Sequence, residues 1–221
     1  MNGRAPDALR KAIATNHKFW PPNNVVYPWI LDKFPDGYQG HCVDVGASDG
    51  VSINSTYLLE ANSRWTVLSI EANPFFRAML NKYRALVECC AVGSESKDEA
   101  DFHINLGNLE AYSSLKPSPP KGRAEEASGD WTKTKVPVRT LNELLEKYEF
   151  PKLDVLCADT EGTERDVLAG LDLEKWRPRV ILVECWEEGS LDDVLVPAGY
   201  ERVWRCVDND GYVRRNDEPV Q

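Results

Sequence analysis

Short apolar runs alternate with amphipathic stretches along most of this chain. Cys42 to Val45, Trp65 to Ile70, Ala85 to Val92, Leu153 to Ala158 and Val180 to Val183 are brief and almost uniformly apolar, which reads as buried strands. The stretches between them carry helix signals. Asn54 or Ser55 can cap a helix through Thr56, Tyr57, Leu58 and Leu59. Asn73-Pro74, an N-cap followed by proline at the first helical position, precedes Phe75, Phe76, Met79, Leu80 and Tyr83 at helical spacing, which predicts one apolar face. Thr140 and Glu143 form a capping-box pair ahead of Leu141, Leu144, Leu145 and Tyr148. Val167, Leu168 and Leu171 mark another helix with Gly170 as its cap, and Ser190 is expected to cap one carrying Leu191, Val194 and Leu195. Strands alternating with helices predict an α/β sandwich, Rossmann-like, with a mostly parallel sheet covered on both faces. Tyr200 to Val207 and Tyr212 to Arg214 flank Asn209-Asp210-Gly211, a turn signal, so an antiparallel C-terminal hairpin should close one edge.

Two regions depart from this rhythm. Residues 1–40 mix a short helical pattern, the Trp20-Pro21-Pro22 break and an apolar patch from Val25 to Phe34, and read as an N-terminal extension or lid on a domain spanning 41–221. Residues 117–135 turn to Pro, Gly, Ser, Lys and Glu, too polar to order themselves by burial, and read as a mobile insertion. Its neighbours Tyr112, Ser113 and Ser114, with Trp131 inside it, could close over a substrate, and a solvated loop is the plainer reading. Asp101 to Leu106 adds a half-buried extended segment.

Composition narrows the class. The 221 residues suit one sizeable domain, and a net charge of -10 argues against broad nucleic-acid binding, which needs a basic footprint. No apolar run approaches the roughly 20 residues of a membrane span, and the first thirty positions have no signal-peptide core, so a cytoplasmic protein with no membrane partner is expected. The six cysteines show no paired metal spacing and read as reduced, mostly buried thiols. His17, His41 and His103 stand in no nucleophile or metal motif.

The candidate chemistry lies at the strand ends. Val43-Asp44-Val45-Gly46-Ala47-Ser48-Asp49-Gly50 is a strand, a glycine-rich turn and the approach to a helix, the order in which open α/β sheets hold a nucleotide-like ligand. Asp44, Glu71, Asp159 and Glu184 all fall at the carboxyl ends of predicted strands, which share one rim. Glu71 lies 27 positions beyond Asp44, near the spacing at which an acid meets a ribose diol. The turn lacks Gly-x-Gly-x-x-Gly and adds Asp49, which would repel a pyrophosphate. S-adenosylmethionine, which carries no phosphate, fits better than a nicotinamide dinucleotide. In Asp159-Thr160-Glu161-Gly162-Thr163-Glu164, two acids one residue apart could orient a hydroxyl, take its proton or help hold a divalent cation, with Asp159 and Glu184 as metal candidates. Glu164 reads more simply as part of a capped helix start.

These blocks, in this order, resemble the FkbM-type family of S-adenosylmethionine-dependent methyltransferases over roughly residues 40–184. The resemblance rests on Val43-Asp44-Val45-Gly46-Ala47 with Gly50, on Ile70-Glu71-Ala72-Asn73-Pro74, and on Thr140-Leu141 leading to the Asp159–Glu164 block with Val167-Leu168 and Gly170. It implies a seven-stranded class I methyltransferase sheet whose last strand is antiparallel. It also implies a small-molecule hydroxyl acceptor, on a sugar or natural product. Carried onto this chain, it sets Asp44, Gly46, Ala47 and Gly50 around the methionine part of the cofactor and Glu71 on the ribose. Ala91 and Val92, at the end of strand three, would line the adenine, and Asp159 and Glu161 would face the transferring methyl. The family often has lysine two residues before the fourth-strand aspartate, where this chain has Cys157. The rival readings are a nicotinamide-dependent oxidoreductase on the same fold, or a binding module without catalysis.

Overall fold

The computed structural model describes residues 21–52, 54–61, 65–106, 113–116 and 130–215. Its strands are β1 (His41–Val45), β2 (Thr66–Ile70), β3 (Leu86–Glu88), β4 (Ala91–Val92), β5 (Lys97–Asn105), β6 (Trp131–Arg139), β7 (Val155–Ala158), β8 (Val180–Glu184), β9 (Tyr200–Cys206) and β10 (Asn209–Arg214). Seven of them form one sheet in the order β3-β2-β1-β7-β8-β10-β9. From β3 to β8 every pairing is parallel, and β10 alone runs against its neighbours β8 and β9. The antiparallel strand thus lies one place in from the edge. The order reverses between β1 and β7, which opens a crevice over their carboxyl ends.

Side-chain alternation along the strands gives each face its own core. On one face Cys42, Val67, Val155, Val180 and Leu182 meet Val26 and Ile30 of helix α1 (Pro21–Leu31) and Leu59 of α2 (Tyr57–Ala61). Burying a side chain such as Ile30, which is fully enclosed, stabilises the fold by about 1.5–3 kcal/mol. Of the N-terminal extension, then, α1 is packed against the sheet, and residues 1–20, with His17, lie outside the described residues.

On the opposite face Val43, Leu68, Leu156 and Ile181 meet Leu141, Leu144 and Leu145 of α4 (Leu141–Lys147). Val167 and Leu168 of α5 (Glu164–Ala169) join them, with Leu173 of α6 (Leu173–Trp176) and Leu195 of α7 (Asp192–Leu195). The capping box that starts α4 is complete, Thr140 accepting from the Glu143 N–H and Glu143 reaching back. Gly170 ends α5 at φ -87°, outside the left-handed region expected of a glycine cap. It is small for another reason: a Cβ there would come within 2.3 Å of the Gly93 carbonyl oxygen.

The remaining elements differ from the sequence pattern in instructive ways. Ala85 to Val92 is two strands, because the chain turns at Cys89-Cys90 and passes from the main sheet into a second one, β4-β6-β5. Ala91 and Val92 therefore do not form the tip of β3. They pair with Val138 and Arg139 of β6, buried in the smaller core and the main core respectively. Within the expected insertion, residues 131–135 are the first half of β6, where Lys135 pairs with Asp101 at 2.7 Å across the ladder. Residues 117–129 and Tyr112 lie outside the described residues.

Asn209-Asp210-Gly211 is strand; the turn is Val207-Asp208, with Val207 at φ +54°. Asp210 is buried there, accepting from Arg205 at 2.7 Å and from the Gly189 N–H at 2.8 Å. Ser190 makes no cap, since Leu191 precedes α7 without a side-chain bond. After the Pro74–Phe76 turn capped by Asn73, only Leu80 of α3 (Arg77–Tyr83) is buried, and Phe75 and Met79 face outward. All six cysteines are free thiols. Among the described residues no helix is long and apolar enough to cross a membrane.

Candidate active site

Gly46 fixes the floor of the crevice. Its φ of +83° is a left-handed conformation, and a Cβ would come within 1.7 Å of the Asp159 carbonyl oxygen, so the β1 turn and the β7 loop touch only because this residue has no side chain. The turn is then tied to β2: the N–H groups of Gly46 and Ala47 both donate to the Ile70 carbonyl, at 2.9 and 3.0 Å. Ser48, itself at φ +51°, donates its N–H to Glu71 Oε2 at 2.8 Å, and the Asn73 N–H donates to Oε1 at 2.7 Å. Glu71 is thus joined to the glycine turn, and each carboxylate oxygen keeps a lone pair for a further donor. Burial pushes its pKa up to about 6; the Asp44 charge adds to this, while the Asn73 and Ser48 N–H groups partly oppose it.

Asp44 sits on the α2 side of β1, in register with Ser69 and Cys157. Its Oδ2 accepts from Asn54 Nδ2 at 2.6 Å and Thr56 Oγ1 at 2.7 Å. Asn54 also caps α2, its Oδ1 accepting from the Thr56 and Tyr57 N–H groups. A hollow of about 290 Å³, counting space open to solvent, is lined by Asp44, Gly46, Asn54, Cys157, Asp159 and Asn209 among others. Cys157, which stands where lysine was expected from the resemblance, forms part of its wall. Glu71, Ala91 and Val92 do not line it. Asp49 turns back on its own loop, accepting from the Val51 and Ser52 N–H groups.

The β7 loop and the end of β8 carry the acids. Asp159, Glu161 and Glu184 each bring one carboxylate oxygen within 4.8 Å of the other two. Glu161 and Gly162 both have positive φ, +57° and +97°, a strained reversal. Glu164 clamps it: one of its oxygens accepts from the Thr160 N–H, the Thr160 hydroxyl and the Gly162 N–H, at 2.8 to 3.1 Å. From outside, buried Ser114 donates to the Thr160 carbonyl at 3.0 Å, and Lys116 pairs with Asp166. Asp159 opens onto the crevice, yet loss of solvation raises its pKa well above the usual carboxylate range, and repulsion from Glu161, Glu164, Asp44 and Glu71 adds to this. Glu184 is raised by burial and then by Asp159, Glu161 and Glu164. Glu184 Oε2 and Trp186 Nε1 make no hydrogen bond among the described residues, although the indole leans toward the carboxylate and lowers its pKa. Crowding of the carboxylates makes the neutral form of Asp159 and of Glu184 easier to reach than that of an isolated carboxylate.

The sequence pattern singled out the acids and the glycines. It missed the polar residues behind them: Ser48, whose backbone joins two strands, and Thr56 and Arg84, which brace Asp44. Ser48 and Thr56 sit in turn-like sequence with no distinguishing signal. Arg84 follows an amphipathic helix where a solvated cation is the ordinary reading.

Residues 44–197 match the family described as "Methyltransferase FkbM domain", a span that begins at Asp44 and includes Glu71, the β7 loop and Glu184. A methyltransferase of Sordaria araneosa, sdnD, is 27% identical over 211 residues, covering 83% of this chain and 76% of that protein. The crystal structure of Methyltransferase FkbM from Methylobacillus flagellatus KT has the same fold, with a TM-score of 0.51 and 13% identity. The alignment covers 86% of this chain and 58% of that one. The structural likeness shows the fold, and the family match sets the oxidoreductase reading aside. Because the matched span takes in the turn, the β2 acid and the acidic loop together, the chain belongs to the FkbM methyltransferase family.

Proposed function

We propose that this methyltransferase moves the methyl group of S-adenosylmethionine to a hydroxyl on a small molecule, such as a sugar or natural product. The observation that carries the reading is the hydrogen bond from the Ser48 N–H to Glu71, which joins the glycine turn and the β2 acid on the rim where Asp159, Glu161 and Glu184 also meet. The residues present fit the cofactor. Gly46 keeps the turn open to close approach, the Glu71 carboxylate has lone pairs for a ribose diol, and Asp44 lines the hollow as an acceptor for the ammonium group. When bound, S-adenosylmethionine supplies a carbon already activated by its sulfonium.

What remains for the protein is alignment of nucleophile, carbon and sulfur, worth about 7–11 kcal/mol in favourable cases, and removal of the hydroxyl proton. Asp159, open to the crevice and with a raised pKa, is better matched to a base working near neutrality than an ordinary carboxylate. Glu161 shares the task by holding the hydroxyl. Asp159, Glu161 and Glu184 also form an oxygen-only donor set suited to a hard divalent cation. Turnover in Mg²⁺ against turnover in EDTA decides what neutralises them: equal rates assign the role to a proton, and loss in EDTA assigns it to the metal.

Calorimetry with S-adenosylhomocysteine and with NAD tests the cofactor. Binding of the first and silence from the second is the expected result. A protein that binds neither overturns the proposal, and one that binds the homocysteine yet transfers no methyl across a broad hydroxyl panel would be the binding module.

A further inference from the structure

Arg84 is a guanidinium with no solvent exposure, set at the end of α3. A buried charge is costly unless its partners are well placed. Nε donates to Glu60 Oε2 at 2.5 Å, and the other Glu60 oxygen accepts from the Ala85 N–H. The outer nitrogens turn toward the β1 loop. Nη1 donates to the Gly50 carbonyl at 3.0 Å and to Asn54 Oδ1 at 2.9 Å, and Nη2 donates to Thr56 Oγ1 at 2.8 Å.

The direction of these bonds matters. Arginine donates and never accepts. At Asn54 Oδ1 it joins the Thr56 and Tyr57 N–H groups, and these donors together hold the amide with Nδ2 turned to Asp44. By donating to the Thr56 oxygen it leaves that hydroxyl's own proton for Asp44. Both donors end on the same oxygen, Oδ2, and Nη1 lies 3.8 Å from it. Asp44 Oδ1, to which no described residue donates, is left for whatever enters the hollow that Asp44 lines.

We infer that Arg84 is a positioning residue for the cofactor's amino-acid end. It acts through Asn54 and Thr56 to hold Asp44 in one orientation, and through Gly50 to set the far end of the glycine turn. The inference rests on the proposed use of S-adenosylmethionine. Lysine in its place keeps a charge but lacks the planar fork that serves Glu60 on one side and Gly50, Asn54 and Thr56 on the other.

The test is calorimetric affinity for S-adenosylhomocysteine, with melting temperature recorded alongside, in the full chain and in Arg84→Lys, Thr56→Val, Thr56→Ser and the Arg84→Lys/Thr56→Val double variant. Arg84→Lys and Thr56→Val are each expected to weaken binding by about tenfold, the scale of one lost charge-assisted or buried hydrogen bond. Thr56→Ser, which restores the hydroxyl, should bind like the parent, and the double variant should fall short of the product of the two single losses. A merely structural role would lower the melting temperature and leave the affinities equal. Equal affinities, or losses that multiply independently, overturn the inference while leaving the methyltransferase reading intact. A parent chain that binds no S-adenosylhomocysteine overturns both.

Discussion

Asp159 and Glu71 are both carboxylates with raised pKa, but only one faces the proposed reaction. Asp159→Asn keeps the shape of the loop and removes the base, so turnover should fall by 10²-fold or more, the usual worth of a positioned base. Affinity for S-adenosylhomocysteine should change little; unaltered turnover would remove Asp159 from the chemistry. Glu71 reports through binding. Its pKa near 6 in the folded protein exceeds the 4.5 of an ordinary glutamate, so the folded state favours the protonated form. Stability from this group is greatest below pH 4.5 and is lost as pH rises through 6, a penalty of about 2 kcal/mol at neutrality. Diol donors prefer the ionised form. Affinity for S-adenosylhomocysteine should therefore rise with pH up to about 6 and level off, and Glu71→Gln should flatten that profile; a parent profile already flat from pH 5 to 8 would contradict the role. These acids were legible in the sequence because strand ends in an α/β pattern share a rim. Thr56 and Arg84 were not, because nothing in a linear pattern tells a buried arginine from a solvated one.

Local signals set an element where tertiary contacts agreed with them and gave way where those contacts did not. Thr140 and Glu143 complete their capping box, so Thr140→Ala should cost about 1 kcal/mol in urea denaturation. A cost near zero would mean that packing of Leu141, Leu144 and Leu145 alone sets the start of α4. Asn209-Asp210-Gly211 carried an equally clear turn signal and became strand. The reason is tertiary: Arg205 and Gly189 grip Asp210, and Trp29, stacked on Trp204, leaves room for no more than a glycine at 211. Trp131 to Lys135 has the alternation of a strand, but its lysines resembled the polar stretch before it until Asp101 supplied a partner across the ladder. Phe75 and Met79 are spaced as a buried face and lie exposed, so spacing alone did not say which side of α3 the core would take.

For the whole molecule, the class of fold was readable from the alternation of elements, whereas the partition into two sheets was not, since a two-residue strand such as β4 has no periodicity to detect. Strand order is set by tertiary pairing, which no local pattern records. The pair at the middle of the sheet, β1 and β7, is stitched at its lower end by Asp154, whose carboxylate accepts from the His41 N–H 113 residues earlier. The edge of β1 that β7 covers therefore meets a strand 113 residues further along, with the whole second sheet in between. At the other side, β10 lies between β8 and β9, so the local β9–β10 hairpin docks on β8 as a unit. Assembly through such distant partners is slow, and refolding from urea should proceed in milliseconds to seconds rather than microseconds. The reversal of strand order that opens the crevice is thus also the longest-range pairing among the described strands, and the ledge is complete only when that pairing closes.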